Sequence, residues 1–399
     1  MTESHPTLHL RSGREYTIRR GHPWVFSGAF RELPQDIPPG AVADVVSSSG
    51  EWIARGHVNV RNSLAFRVLT LDPDETIDTP FYARRIARAL ALRALLPASV
   101  NAYRLVNAEA DYLPGLIVDR YDRWLSVQFH TAGADRDRPH ILAALEQVVR
   151  PDGILARDDI KARAREGLAL GGASLAAGTV PETLTIIEHD VHYLVDPWHG
   201  QKTGFFLDQR DKRALIGDAA LHAHSLLNTF SYSGGFALAA LARNPALHTV
   251  NVDSSDAALD LARRNYALNS HDPAAHEFTA SDVNRFLQQC AHEGRAFDVV
   301  IVDPPAFAKN LSMKDRALRG YETLNAHAAR TVAPNGLLLT CSCSGGVNAA
   351  DFENAVQLGV SRATRSAQLL ATFGPSIDHP TLPGFAEDRY LKALLLRLS

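Results

Sequence analysis

The stretch FDVVIVDPPAF, residues 297–307, carries four consecutive β-branched residues, Val299–Val302, and then stops at an aspartate and two prolines. A run this apolar predicts a strand buried on both faces, as in a parallel sheet covered by helices. Its end is chemically distinctive. The prolines lack N–H donors and stiffen the turn, so Asp303 becomes a fixed carboxylate beside carbonyl acceptors. Such a corner suits a planar base with an exocyclic amine, and Phe307 could stack on it. A rigid loop closing a buried strand is the structural alternative.

The segments around this stretch repeat the pattern. SLLNTF (225–230), HTVNVD (248–253), HEFTAS (276–281) and GLLLTCSC (336–343) are apolar strand candidates. Helical stretches such as SDAALDLARRNYALN and FLQQCAHE lie between them. This alternation predicts an α/β domain with a parallel sheet. RSAQLLATFG and DRYLKALLLRL read as two further strands joined by a Pro/Gly-rich loop.

Ligands of open α/β sheets sit beyond the carboxyl ends of the strands. The first strand runs into NTFSYSGGF, where Ser231, Ser233, Gly234 and Gly235 lead into a helix and would let a cofactor approach the backbone. GxGxxG is absent, which argues against a nicotinamide dehydrogenase. The second strand ends in Asp253, placed to bind the hydroxyls of a ribose. Ser255 can cap the following helix, leaving Asp253 for a ligand. After the third strand come Asp282 and Val283, a carboxylate and an apolar wall for an adenine, with a helix cap as the competing role for Asp282.

GLLLTCSCSGG (336–346) holds two of the three cysteines. Residues two apart in a strand share a face. A disulfide between them would be strained, and no cluster of ligands with metal spacing accompanies them. Cys341, nearer the strand centre, reads as a small buried hydrophobe. Cys343, among serines and glycines at the ligand-facing end, reads as an accessible nucleophile.

The remaining chain is different in kind. Residues 1–72 contain short strands punctuated by Gly, Pro and Ser, predicting a small β-barrel-like module. LDPDETIDTP (71–80) reads as a linker, and FYARRIARALALRALL (81–96) as a helix. Residues 73–190 mix hairpins with helices and are α+β in character, with turns at Asp122–Arg123 and His189–Asp190. The α/β domain is assigned to residues 191–399. With 399 residues, two or three domains are expected. Three cysteines exclude a disulfide scaffold and point to a reducing cytoplasm. The N-terminal MTESHPTLHLRSGREY has no apolar secretory segment, and no run is long enough to span a membrane. A net charge of −3 does not announce nucleic acid, so such a partner needs a local basic patch.

NTFSYSGGF, VDSSDAALDLARRN, DPPAF and TCSCSG together resemble the motif series of class I S-adenosylmethionine-dependent methyltransferases, whose sheet is Rossmann-like. GHPWVFSGA near residue 21, RLVNAEADYLPGLIVDRY (104–121) and GQKTGFFLDQRDKR (200–213) extend the resemblance over the whole chain. More narrowly, it is similar to bacterial large-subunit ribosomal RNA cytosine-5 methyltransferases with an N-terminal PUA domain. The resemblance implies S-adenosyl-L-methionine as cofactor and ribosomal RNA as partner, with dimerisation possible. It implies that Cys343 is the nucleophile, that Asp303 and Pro304 hold the cytosine, and that Phe307 stacks. The cofactor would be held by Phe230, Ser231, Gly234, Asp253, Ser254, Asp282, Val283 and Asp303. Lys202, Phe205, Phe206 and Gln209 would close the pocket. Arg19 and Arg20 are candidates for RNA contact, whereas Trp24 reads as core. Ser-Cys-Ser at 342–344 matches the family's form, although TCSCS also allows a register in which Cys341 is the nucleophile. DPPAF also resembles the signature of enzymes that methylate exocyclic amines. A non-catalytic RNA-binding assembly factor is the other alternative.

Overall fold

The computed structural model describes residues 5–308 and 311–399. Residues 1–4, the start of the stretch lacking a secretory segment, lie outside the described residues. The chain forms two compact units. One comprises residues 1–184, 195–207 and 377–386; the other comprises 185–194, 208–376 and 387–399. This differs from the three successive segments expected from the sequence. Residues 1–72 and the region after them build separate sheets but cluster as one unit.

Within the first unit, strands Thr7–His9, Trp24–Phe26, Ala41–Val46, Trp52–Val58 and Leu64–Thr70 form a five-stranded sheet. The last three make an antiparallel meander. A bridge between Leu10 and Phe30 brings the two sheet edges together, with Arg11 N–H donating to the Ala29 carbonyl at 2.8 Å and Arg31 N–H to that of His9 at 2.9 Å. This rolls the sheet around Leu8, Leu10, Val45, Phe30 and Phe66, as the barrel expectation required. A second five-stranded sheet spans Ala102–Asn107 to Ala173–Gly178. Helices Thr79–Arg93 and Arg138–Val149 share its core. Thr79–Arg93 begins where Asp78 accepts a hydrogen bond from Phe81 N–H, so this cap starts the helix inside the 71–80 stretch expected as linker.

A polar knot joins the two sheets of this unit. Asp137 accepts from His57 Nε2 at 2.8 Å and from Tyr82 OH at 2.6 Å. Glu166 accepts from Arg67 at 2.7 Å and Asn59 at 3.0 Å. The approach is so close that a Cβ on Gly133 would lie 2.1 Å from the His57 ring. All of these carboxylates are buried, so the knot holds only while every partner is present.

The hairpin Leu184–Glu188/Val191–Val195 turns at His189 and Asp190, both with positive φ, as a two-residue primed turn demands. The domain boundary expected near residue 190 cuts this hairpin, whose residues 185–194 belong to the second unit. The physical reason is hydrogen bonding. His192 and Leu194 N–H donate to Asn269 and Asn265 at 2.8 Å each, and Arg213 grips Glu188 through two 2.6 Å bonds.

The second unit is built on strands β1 (Ser225–Thr229), β2 (His248–Asp253), β3 (Glu277–Ala280), β4 (Phe297–Val302), β5 (Val332–Ser342), β6 (Ala367–Phe373) and β7 (Lys392–Leu398). Their order is β3-β2-β1-β4-β5-β7-β6. The first five are parallel, and β7 runs antiparallel to both β5 and β6. Helices α1 (Arg210–Ala219), α2 (Gly235–Arg243), α3 (Asp256–Leu268), α4 (Val283–His292), α5 (Lys314–Arg330) and α6 (Ala349–Arg362) complete it. The alternating strands and helices expected from the sequence are all present, and each strand lies where its apolar run places it. No described helix is long and apolar enough to cross a membrane.

Burial by itself would raise the Asp137 carboxyl, but His57 and Tyr82 hold it below the ordinary aspartate value. A depressed carboxylate stabilises the fold above its unfolded pKa, and that stability is lost as pH falls through the folded value. Asp137→Asn is therefore expected to cost about 2–4 kcal/mol at pH 7, read as a lower Tm, and the gap to wild type should narrow below about pH 4.

Candidate active site at the carboxyl ends of the parallel strands

β1 lies between β2 and β4, so the chain leaves the sheet in opposite directions on its two sides. This is where α/β sheets open a crevice. The loop after β1 is unusual in its backbone. Phe230, Tyr232 and Gly234 have φ of 54°, 45° and 78°. Side-chain residues rarely adopt such values, and they concentrate at functional sites. The loop is pinned by its own amides. Ser231 N–H donates to the Val252 carbonyl at 3.1 Å, and Tyr232 N–H to Asp253 Oδ2 at 2.9 Å. Gly234 combines positive φ with a close approach to α3, since a Cβ there would sit 3.2 Å from Tyr266.

Asp253 and Asp282 take different parts. Ser255 caps α3 through its hydroxyl, as expected, and Asp253 instead accepts Tyr232 and Ser255 N–H while staying partly exposed. Ser254 is exposed beside it. Asp282 is the N-cap of α4, accepting from Arg285 N–H at 2.9 Å. Val283 is packed into the core at 3% exposure, which restricts it to a buried wall.

The donors at this corner fit a nucleoside cofactor. The Ser231 hydroxyl is buried and has no hydrogen-bond partner among the described residues. Buried hydroxyls ordinarily find one, so the atom is set for a bound group. A half-exposed carboxylate at Asp253 and the kinked 230–234 backbone supply the rest.

The loops after β4 and β5 meet in a second cluster. Asp303 accepts from Gln209 Nε2 at 2.9 Å. The Cys343 thiol faces the Pro304 carbonyl at 3.8 Å. β5 ends at Ser342, so Cys343 is the first residue beyond it and does not continue the strand alternation with Cys341. The Ser344 hydroxyl accepts from Phe307 and Ala308 N–H at 3.0 Å each and lies 2.8 Å from Tyr321 OH. Ser342 also donates to that phenol at 2.9 Å. The proline loop and the cysteine loop are thereby tied to each other and to α5. Phe307 lies against Tyr321, ring centroids 4.7 Å apart, and is half-buried.

The two cysteines differ sharply. Cys341 has no exposure. Burial pushes its thiol well above the usual range, and the charge of Asp303 pushes the same way against Lys212. Cys343 is partly exposed. Residues given no role by the sequence reading complete the cluster. Lys212 is buried and donates to the Asp208 and Gly374 carbonyls at 2.8 and 2.7 Å; burial lowers its pKa, and nearby acidic groups including Cys341 and Asp303 oppose that. Tyr321 and Lys392 were equally silent in the sequence, since a lone lysine or tyrosine in an apolar segment signals nothing by itself.

Lys202, Phe205 and Phe206 belong to the first unit and Gln209 to the second. Lys202 lies over the Phe206 ring at 4.6 Å, and Phe205 is buried with its N–H on Tyr121 OH. Arg19 and Arg20 are both exposed: Arg19 pairs with Glu51 at 2.6 Å, and Arg20 lies over Tyr16. Trp24 packs on Phe385 and donates to Glu109, a structural role as expected. Among the described residues, no group of three or more His, Cys, Asp or Glu is arranged to hold a metal.

Comparison with known proteins agrees with this geometry. Residues 165–397 match the S-adenosylmethionine-dependent methyltransferase family model, and residues 8–71 match a PUA-like domain. The chain is 38% identical over 387 residues to the ribosomal RNA large subunit methyltransferase I of Cronobacter sakazakii, covering 96% of this chain and 97% of that protein. It is 37% identical to the Escherichia coli protein of the same name, covering 98% and 99%. A Streptococcus mutans S-adenosylmethionine-dependent methyltransferase shares the fold, with a TM-score of 0.84 at 20% identity over 98% of this chain and all of that one. A methyltransferase solved in complex with SAH gives 0.85 at 21% identity and the same coverage. The positive-φ loop with its buried Ser231 hydroxyl thus sits in a Rossmann-like sheet whose methyl donor is S-adenosylmethionine, and the chain belongs to the PUA-containing S-adenosylmethionine-dependent methyltransferases that include the ribosomal RNA large subunit methyltransferase I proteins.

Proposed function

We propose that this protein methylates carbon 5 of a cytosine in large-subunit ribosomal RNA, in the cytoplasm, through a covalent adduct on Cys343. The observation that carries this is the contrast between a sealed Cys341 and a partly exposed Cys343 set against Pro304, with Asp303 adjoining. The relatives' names support ribosomal RNA as the substrate class.

The chemistry needs a thiol. Carbon 5 of cytosine is a weak nucleophile. The Cys343 thiolate forms a bond to carbon 6, and the electron pair of the ring double bond moves to carbon 5. S-adenosylmethionine, when bound, supplies an electrophilic methyl group. Once carbon 5 carries the methyl, loss of its proton to a base restores the double bond and expels the thiolate. Splitting one difficult substitution into addition and elimination is the ordinary benefit of covalent catalysis. Asp303, steadied by Gln209, hydrogen-bonds the cytosine edge, and the Pro304 region receives the exocyclic amine. Ser231, Asp253 and the 230–234 backbone hold the cofactor. Arg19 and Arg20 offer RNA contacts on the N-terminal module.

With radiolabelled S-adenosylmethionine and unmodified large-subunit ribosomal RNA, Cys343→Ala should lose label in 5-methylcytosine by at least about 1,000-fold, while Cys341→Ala keeps it. RNA containing 5-fluorocytosine should trap a complex with wild type and with Cys341→Ala but not with Cys343→Ala. Label on an exocyclic amine, undiminished in Cys343→Ala, would replace this mechanism with direct amine methylation. Asp253→Ala, which removes the acceptor of two loop amides, should weaken S-adenosylmethionine binding about tenfold or more in calorimetry.

A further inference from the structure

Cys343 begins the turn Cys343-Ser344-Gly345-Gly346-Val347, which the two glycines make intrinsically mobile. A nucleophile must be held near its attack geometry. The element that holds this turn comes from the far end of the chain. β7 pairs antiparallel with β5 in a register that sets Lys392 opposite Ser342. The lysine therefore enters beside the point where β5 stops. Its side chain is buried, with the residue 7% exposed. Nζ donates to the carbonyls of Ser344 at 2.7 Å, Val347 at 2.7 Å and Tyr390 at 2.8 Å.

We propose that Lys392 is the positioning residue of the nucleophile: its ammonium clamps both ends of the glycine turn, fixes Cys343 against the Pro304 carbonyl, and provides the positive charge that favours the thiolate. This deepens the function proposed above and rests on Cys343 being the nucleophile.

Three features support the clamp. An ammonium has three donors, and three carbonyls meet them, so the charge is buried without an unspent donor. Those same bonds occupy Lys392 while it is charged, which assigns it to holding the loop and leaves abstraction of the carbon 5 proton to another group. Lys392 also interacts electrostatically with Cys343. Burial lowers the lysine to about 8, and the negative charge of the thiolate opposes that shift, so each charge favours the other near neutral pH. Lys212 on α1 is coupled to Cys341 and Asp303; Tyr321 on α5 and Cys341 on β5 are also coupled to Cys343, with Asp303 adjoining through Pro304. Burial raises both the phenol and the Cys341 thiol, which keeps them protonated, and Asp303 is an acid. None of these three can favour a thiolate by charge.

The test compares wild type, Lys392→Gln, Lys392→Arg and Cys343→Ala in the full chain. Site-resolved alkylation of Cys343 by iodoacetamide is followed against pH, with methylation kcat and KM and thermal unfolding alongside. Lys392→Gln should slow alkylation about tenfold near neutral pH, displace its profile to higher pH, and lower kcat with little change in KM. Lys392→Arg should restore the alkylation profile, because the charge returns. It should still lower kcat several-fold, because a planar guanidinium does not match carbonyls gathered around an ammonium. A folded Lys392→Gln with wild-type alkylation and kcat would overturn the proposal, even if its Tm fell. If Lys392→Gln does not fold, Lys392→Arg decides, and wild-type kcat there would overturn it. Methylation that survives in Cys343→Ala would instead sink the nucleophile assignment, and the alkylation profiles would still judge the clamp.

Discussion

Parallel pairing in a common register is the constraint on which the site depends. Thr229 of β1 lies opposite both Val252 and Val302, and Val302 lies opposite Thr340. Because all five strands run the same way, their carboxyl ends reach one edge together. Asp253, Asp303 and Cys343 are far apart in sequence, yet Asp253 is the last residue of β2 and Asp303 and Cys343 are the first residues beyond β4 and β5. Nothing in the individual motifs brings them together. A one-residue slip of β5 against β4 would move every β5 side chain to the opposite face of the sheet and carry Cys343 out of line with Asp303.

The edge is then stiffened by groups that bury charge or hydrogen-bonding capacity. Ser344 spends its hydroxyl on two consecutive amides of the proline loop. Prolines 304 and 305 have no N–H to offer, so this outside anchor joins that loop to the cysteine turn alongside the contact between the Cys343 thiol and the Pro304 carbonyl. Lys212 and Lys392 sit beneath the site with carbonyl partners already in place. Removing one partner of such a buried cation leaves an uncompensated charge, so these contacts enforce one geometry more than they add net stability. A thiol that must attack one carbon of a ring benefits from that enforcement.

The same economy of placement separates the cysteines. Both belong to the same short segment. One ends inside a sheet where desolvation and a neighbouring carboxylate disfavour its ionised form. The other clears the strand by a single residue and gains partial exposure. Two side chains of identical chemistry thus receive opposite roles from environment alone.

What was legible in the sequence followed from local physics. Apolar runs located β1 to β5, because parallel strands covered on both faces need such runs. The turn at His189–Asp190 was legible because its residues tolerate positive φ. Ser255 was legible as a cap from its position, whereas Asp282 stayed divided between cap and ligand until its bond to Arg285 N–H was seen. The motif residues of DPPAF and TCSCSG could be named from their order, but their meeting could not. The parts that required the tertiary structure are all long-range. Ser344 reaches back 37 residues to Phe307, and Lys392 reaches 48 residues to the Ser344 carbonyl. The division of the chain at the hairpin, with residues 185–194 joined to the second unit, was decided by Asn265, Asn269 and Arg213. Sequence alone determined which segments become strands, caps and turns, and pointed to Cys341 as the buried thiol and Cys343 as the accessible one, because those depend on neighbours along the chain; the tertiary structure decided what surrounds the one and holds the other, because burial and charge partners come from residues the chain places side by side only when folded.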